Sequence, residues 1–199
     1  DPFLIKAPNY DYSKTDFIFV SHGHQDHLGS SIEIAKKTNA KIVAIFELAN
    51  YCLNSGAKNV LPCSFGSWLN FPFGRALMVF ATHSSSNSKG EYLGSPCGFI
   101  FEIENKTIYF AGDTGLFSDM KIFGELYMPD ISILPIGGTF TMDVFHAKIA
   151  ADWLKSKIII PAHYNTFDAI KIDIEDFKKE INSINKTPLV LEINESVEF

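Results

Sequence analysis

The sequence predicts an α/β fold, one layered domain spanning residues 1–199 with helices covering the faces of sheets. Three observations lead there. Short apolar runs of strand length alternate with longer amphipathic stretches. The middle of the chain reads as consecutive strands, two of them joined as a hairpin. The polar residues of chemical interest each stand directly behind an apolar strand, where layered α/β folds gather their sites.

Taken in order, Asp16–Val20 reads as a short buried strand and Leu28–Thr38 as a helix. Lys41–Ile45 is a second strand, and Glu47–Asn54 a helix stopped by Gly56. Strands follow at Ala76–Ala81, Gly98–Ile103 and Thr107–Ala111, the last two turning through Glu104-Asn105-Lys106. A helix is expected near Gly115–Phe123, a strand at Ile131–Leu134 and a helix from Asp143 to Leu154. The strand Lys157–Ile160, the helix Ile174–Ile184 and a short C-terminal strand complete the pattern.

Composition narrows the function classes. Apolar residues make up 46% and charged residues 20%, ordinary for a globular protein, and 18 phenylalanines point to an aromatic core. No apolar run reaches the length of a membrane span. The net charge of −6 argues against a broad nucleic-acid surface, which needs clustered Lys and Arg. Cys52, Cys63 and Cys97 are odd in number and form no C-x-x-C pair, so a reducing, cytoplasmic setting is expected, with each thiol filling the core. The chain opens DPFLIKAPNYD and its first methionine is Met78, so the expectation is that an N-terminal segment has been lost.

The chemistry centres on residues 20–29, VSHGHQDHLG. His22 and His24 stand two apart at the end of an extended segment, where alternate side chains point the same way and can grip one ion. The chain then turns through Gly23 and Gln25 into a helix start, letting Asp26 and His27 face the same cavity from another direction. Asp26 also suits a helix N-terminus electrostatically, and both roles stay open. Imidazole and carboxylate are the ligand set expected for Zn²⁺, with Fe or Mn as alternatives. The further strand ends are ATHSSS, AGDTG, PIGG and PAHYNT, which add His83, Asp113 and His163. Any one of these histidines has an ordinary reading as a hydrogen-bonded core residue. As a set with His22, His24, Asp26 and His27 they read as metal ligands.

These stretches, SHGHQDHLG, ATHSSS, AGDTG, PIGGTFTMD and PAHYNTF, resemble the metallo-β-lactamase superfamily. The chain looks most similar to a group of metal-dependent hydrolases there, related to the ascorbate-phosphate lactonases. The resemblance runs from residue 21 to about 167. It implies an αββα sandwich of two mixed sheets flanked by helices, with two divalent metal ions, Zn before Mn or Fe. His22, His24 and His83 would hold the first ion, Asp26, His27 and His163 the second, and Asp113 would bridge them. Family members begin with a strand pair ending in an I-D-P-F-like segment, so the expectation is that this pair is missing before Asp1.

Two ions about 3.5–4 Å apart can share a hydroxide that is nucleophilic at neutral pH, with Asp26 orienting it. The expected activity is hydrolysis of an ester, lactone, amide or phosphoester of a small molecule. A serine hydrolase is excluded, since Ser84, Ser85 and Ser86 lack a spare histidine base and G-x-S-x-G is absent. The alternatives are an iron-dependent redox member of the same superfamily, and a metal-binding protein without turnover. The diiron redox relatives carry Glu where this chain has His24, which speaks against the former.

The glycine-rich segment GGTFTMD, residues 137–143, reads either as a substrate-facing loop whose N–H groups hold an anion or as a turn capped by Thr141 or Asp143. The resemblance favours the first, making Gly138 and Thr141 candidate substrate contacts. Tyr164 is a third candidate, with packing as its alternative. His146 reads as a surface or packing residue before a proton donor. The expected partner is a small-molecule substrate, with no nucleic acid and no membrane, and a homo-oligomer is left open.

Overall fold

The computed structural model describes residues 1–7 and 9–199. Ten strands and six α-helices follow one another among these residues, with short 3₁₀ turns at Leu4–Lys6 and Asp168–Ile170. They divide into two compact units. Unit 1 draws on residues 1–65, 84–97 and 191–199, and unit 2 on residues 66–83 and 98–190.

Unit 1 carries a parallel three-stranded sheet in the order β1 (Phe17–Phe19), β2 (Lys41–Ile45), β3 (Asn59–Cys63). Its strands are linked by α1 (Gln25–Leu28), α2 (Ser31–Thr38) and α3 (Phe46–Asn54). Ile42, Val43, Ala44, Leu48, Ala49 and Cys52 are fully buried, so β2 is the centre of this core. The helix expected over 28–38 is broken in two. Gly29 takes φ 46°, and a side chain there would overlap the Pro2 carbonyl. Only glycine lets the chain pass Pro2 so closely and restart at Ser31.

The strands of unit 2 belong to a seven-stranded mixed sheet in the order β10-β9-β8-β7-β6-β5-β4. Hairpin β4 (Trp68–Phe71)–β5 (Gly74–Phe80) and hairpin β6 (Cys97–Ile103)–β7 (Lys106–Phe110) are antiparallel. From β7 onward, β8 (Ile131–Pro135), β9 (Ile158–Ala162) and β10 (Thr187–Pro188) run parallel, joined by crossover helices as parallel neighbours require. These helices are α4 (Asp119–Leu126), α5 (Val144–Leu154) and α6 (Ile174–Asn182). The core sets Leu77, Val79, Ile100, Tyr109, Leu134 and Ile159 of the sheet against Ala147, Ala150 and Leu154 of α5 and Phe177 and Ile181 of α6. The alanine face of α5 keeps it close to its neighbours, and α4 packs on it at Gly124.

The element order follows the expectation. Two strands were missed: β3, whose sequence NVLPC contains Pro62, and β4. Helix α4 starts at Asp119, four residues later than the reading from Gly115. Among the described residues no helix is long and apolar enough to cross a membrane.

A Cβ at Gly124 would overlap the Trp153 carbonyl oxygen and sit 2.9 Å from Leu154 Cα, both backbone atoms that cannot swing aside. Gly124→Ala is therefore expected to destabilise the protein by about 1–3 kcal/mol. The check is the urea midpoint, with the exposed neighbour Glu125→Ala as a control expected to shift it by no more than about 0.5 kcal/mol.

Candidate metal centre

Five of the seven candidate ligands follow a strand end, and Asp26 and His27 lie on the short helix after β1. In unit 1, Val20 still donates to the Val43 carbonyl, so the chain remains extended up to Ser21. It then turns at Gly23, where a Cβ would come within 2.6 Å of Leu93 Cδ1, and the Gly23 N–H donates to Ser85 Oγ at 3.1 Å. His24 is the N-cap of α1, which places Asp26 in the first turn and His27 in the last. This turn brings the four residues together. The His22 Nε2 and His24 Nδ1 atoms are 2.9 Å apart, and the rings of His22 and His27 have centroids separated by 4.1 Å. His27 Nε2 lies 3.7 Å from Asp26 Oδ2.

Which ring nitrogen can act as ligand is set by what the other one holds. Asp1 decides this for two histidines. Its Oδ2 is 2.9 Å from His27 Nδ1, so that nitrogen carries the proton and Nε2 presents its lone pair. The same oxygen accepts from the Ser21 hydroxyl at 2.6 Å, and Oδ1 accepts from the Ser21 N–H at 2.7 Å. With its own proton given to Asp1, Ser21 Oγ accepts from His22 Nδ1–H at 2.9 Å, which leaves the lone pair on His22 Nε2. Asp1 is 7% exposed in its side chain and His27 9%, so this network is shielded from water. Neither Asp1 nor Ser21 was among the residues expected from the sequence. The signal in hand was a serine directly before His-x-His-x-Asp-His, but the carboxylate that makes it useful lies 20 positions away.

In unit 2, His83 follows β5, Asp113 follows β7 and His163 follows β9. Asp113 Oδ2 lies 3.5 Å from His83 Nε2 and 3.2 Å from His163 Nε2, with side chains 4–11% exposed. Two donors bonded to one tetrahedral ion at about 2.1 Å stand about 3.4 Å apart. The donor pairs in both units fall close to that spacing, so their geometry and chemistry fit a divalent ion. Gly112 at φ 61° turns the chain sharply before Asp113. Gly137 admits the loop after β9, since a side chain there would overlap the His163 carbonyl.

Thr114 ties these loops into one piece. Its buried Oγ1 accepts from the Thr82 N–H at 3.0 Å and donates to the Gly115 carbonyl at 2.8 Å. Its carbonyl accepts from the Met142 N–H at 3.0 Å. The backbone beside His83, the backbone beside Asp113 and the end of the glycine-rich loop are thereby held by one residue.

The candidate substrate contacts have mixed positions. Gly138 donates to the Met142 carbonyl at 2.9 Å, and the Thr141 hydroxyl donates to the same carbonyl at 3.3 Å. Tyr164 is partly buried against the apolar core of unit 2. The helix cap is Asp143, whose Oδ1 accepts from the His146 N–H at 2.8 Å and also meets His146 Nδ1 at 2.8 Å. The three cysteines are free thiols, and burial pushes Cys52 up to about 12, Cys63 up to about 11 and Cys97 well above the ordinary value. None of them offers a thiolate nucleophile at neutral pH.

Asp1→Asn keeps the size but weakens the acceptor that fixes His22 and His27. Zinc affinity, measured by competition with a chelator, is expected to fall about 10- to 100-fold, while Thr114→Ser, which retains the hydroxyl, stays near wild type. Equal affinity in Asp1→Asn and wild type would remove the role given to Asp1.

Comparison with known proteins identifies the family. A model of the β-lactamase superfamily domain matches residues 2–164. A UPF0173 metal-dependent hydrolase of Staphylothermus marinus is 47% identical over 187 residues, covering 94% of this chain and 79% of its own. A metal-dependent hydrolase of Bacillus cereus is 45% identical over 206 residues, covering 99% and 89%. The solved structure of Igni18, a metallo hydrolase from Ignicoccus hospitalis, superposes with a TM-score of 0.86 at 36% identity over 94% of this chain and 81% of that one. The metallo-β-lactamase fold protein YhfI of Bacillus subtilis shares the fold alone, with a TM-score of 0.74 at 13% identity. Two sheets flanked by helices, donors at the strand ends and relatives matched along almost the whole chain lead to one conclusion: this chain belongs to the metal-dependent hydrolases of the β-lactamase superfamily.

Proposed function

We propose that this hydrolase is dinuclear and cleaves an ester, lactone, amide or phosphoester bond of a small molecule. His22, His24 and His83 would hold one ion, Asp26, His27 and His163 the other, and Asp113 would serve both. Zn²⁺ suits this mixed imidazole and carboxylate set first, with Mn²⁺ or Fe as substitutes. When bound, such ions supply Lewis acidity and lower the pKa of a water to about 7.

The chain's own residues do the rest. Asp1 favours the proton on Nδ1 of His27 directly and of His22 through Ser21, so Nε2 is the ligating nitrogen in both. Asp26 has a side chain 32% exposed beside a His27 that is 9% exposed, which suits it to orient the attacking water and take its proton. Water adds across the scissile bond: its oxygen joins the acyl or phosphoryl centre, and its proton ends on the departing alcohol or amine. The observation that supports this reading is the spacing of imidazole and carboxylate atoms at 2.9–3.5 Å, with acceptors behind the Nδ1 atoms of His22 and His27.

A net charge of −6 and three free thiols support a cytoplasmic enzyme acting on small molecules rather than on nucleic acid.

Metal analysis paired with an ester, lactone, amide and phosphodiester panel tests the proposal on wild type, Asp26→Ala and His163→Ala. The expected result is about two equivalents of metal in the wild type and at least one fewer in each variant. The kcat/KM on the best substrate is expected to drop by about a hundredfold or more. A wild type free of transition metal, or variants of full activity, would sink it.

A further inference from the structure

In the loops that follow β8 and β9 several backbone amides are hydrogen-bonded while phenyl rings stand exposed. In residues 137–143 the Phe140 and Thr141 N–H groups donate to the Gly138 carbonyl at 2.6 and 3.3 Å. With Gly138 bonded to Met142 and Met142 to Thr114, these four amides are engaged and not available to hold an anion. What the loop presents is Phe140, 53% exposed. In the loop after β9, Asn165 donates to the Ile170 carbonyl at 2.9 Å and its Oδ1 accepts from the Ile172 N–H at 2.8 Å. That loop presents Phe167, 41% exposed.

The two rings face one another, with centroids 6.3 Å apart and planes at 47°. Phe167 also meets the imidazole of His163 edge-on, at 6.2 Å and 88°. Thr139 Oγ1 donates to the Ala169 carbonyl at 2.7 Å, strapping one loop to the other. Thr139, His163 and Asn165 all hold positive φ, at 56°, 52° and 55°. For a β-branched threonine that conformation is an outlier, sustained only where the surroundings over-determine it, and such strain gathers at ligand sites. A lone exposed phenylalanine needs no explanation. A pair held in contact by strained, cross-tied loops beside a candidate ligand is a different case. Within the second loop, Asp168 is paired with Lys171 at 2.7 Å.

We propose that Phe140 and Phe167 form a subsite for an uncharged aryl group of the substrate, seated next to His163. The inference rests on the hydrolase reading and narrows its substrate class to compounds with a planar apolar ring near the scissile bond. A third ring laid against the pair makes offset and edge contacts with both, the arrangements aromatic rings favour.

Binding and turnover are read separately. Saturation-transfer NMR compares acetophenone with 2-butanone, two ketones that are not hydrolysed, on metal-loaded wild type, Phe140→Ala/Phe167→Ala and Phe145→Ala. Phe145 is 62% exposed on α5 and serves as the control for nonspecific contact. Acetophenone is expected to be saturated several-fold more than 2-butanone in the wild type and in Phe145→Ala. That preference is expected to vanish in the double variant, whose circular dichroism should be unchanged because both rings are exposed. In parallel, the kcat/KM ratio of phenyl acetate to methyl acetate should drop about threefold to tenfold in the double variant, through KM. No preference for acetophenone in the wild type, or an undiminished preference in the double variant, overturns the subsite. Acetophenone bound at the two rings with neither ester cleaved would instead leave the subsite standing and count against ester hydrolysis.

Discussion

One carboxylate sets the tautomers of two of the three histidines between His22 and His27. Asp1 accepts three hydrogen bonds, from the Ser21 amide, the Ser21 hydroxyl and His27 Nδ1. An imidazole can face an ion with either nitrogen, and the choice follows the partner at its back. By holding one histidine directly and another through a serine, Asp1 turns two ambiguous rings into defined donors. The loop conformation follows from the same constraint. Gly29 must clear the Pro2 carbonyl, and Ser30 donates to that carbonyl at 3.0 Å, so the segment bearing Asp1 is fixed against the end of α1, which carries Asp26 and His27.

Unit 2 solves the equivalent problem by other means. His83, Asp113 and His163 come from three strand ends whose separation is set by the sheet, and short side-chain contacts refine it. Thr114 supplies the refinement with a single hydroxyl and a single carbonyl, both shielded from solvent, where a hydrogen bond is strong and its loss is costly. In the loop beyond β8, Gly137 lets the backbone of His163 approach closely, while Gly138 supplies a turn at positive φ.

Much of this was legible in the residue order because period and punctuation are local. Lys41–Ile45 was read with its ends in place, and the turn at Glu104-Asn105-Lys106 does join the two strands of a hairpin. What escaped was decided by distant contacts. NVLPC is an unpromising strand until β2 offers it a partner, and Pro62 is tolerated because β3 is an edge strand. Gly29 looks like any helix-interior glycine until Pro2 arrives beside it. The histidines and aspartates proposed as ligands announce themselves by type and spacing. Asp1 and Thr114 do not, since an aspartate or threonine acquires its role only from what folding brings alongside it. The Phe140–Phe167 pair is hidden for the same reason, in a chain with 18 phenylalanines.

The division of the chain also has a consequence in time. Unit 1 collects residues 1–65, 84–97 and 191–199, while residues 98–190 of unit 2 are synthesised between its second and third pieces. The segment His22–His27 therefore leaves the ribosome long before the last strip of its own unit exists. Closing such separated pieces is entropically slow, and a nascent chain that waits exposes apolar strands meanwhile. All three strands and the linking helices of unit 1 lie within residues 1–65, so its sheet is synthesised before residues 98–190 of unit 2. The histidine-rich turn is thus made early, and residues 191–199 join its unit last.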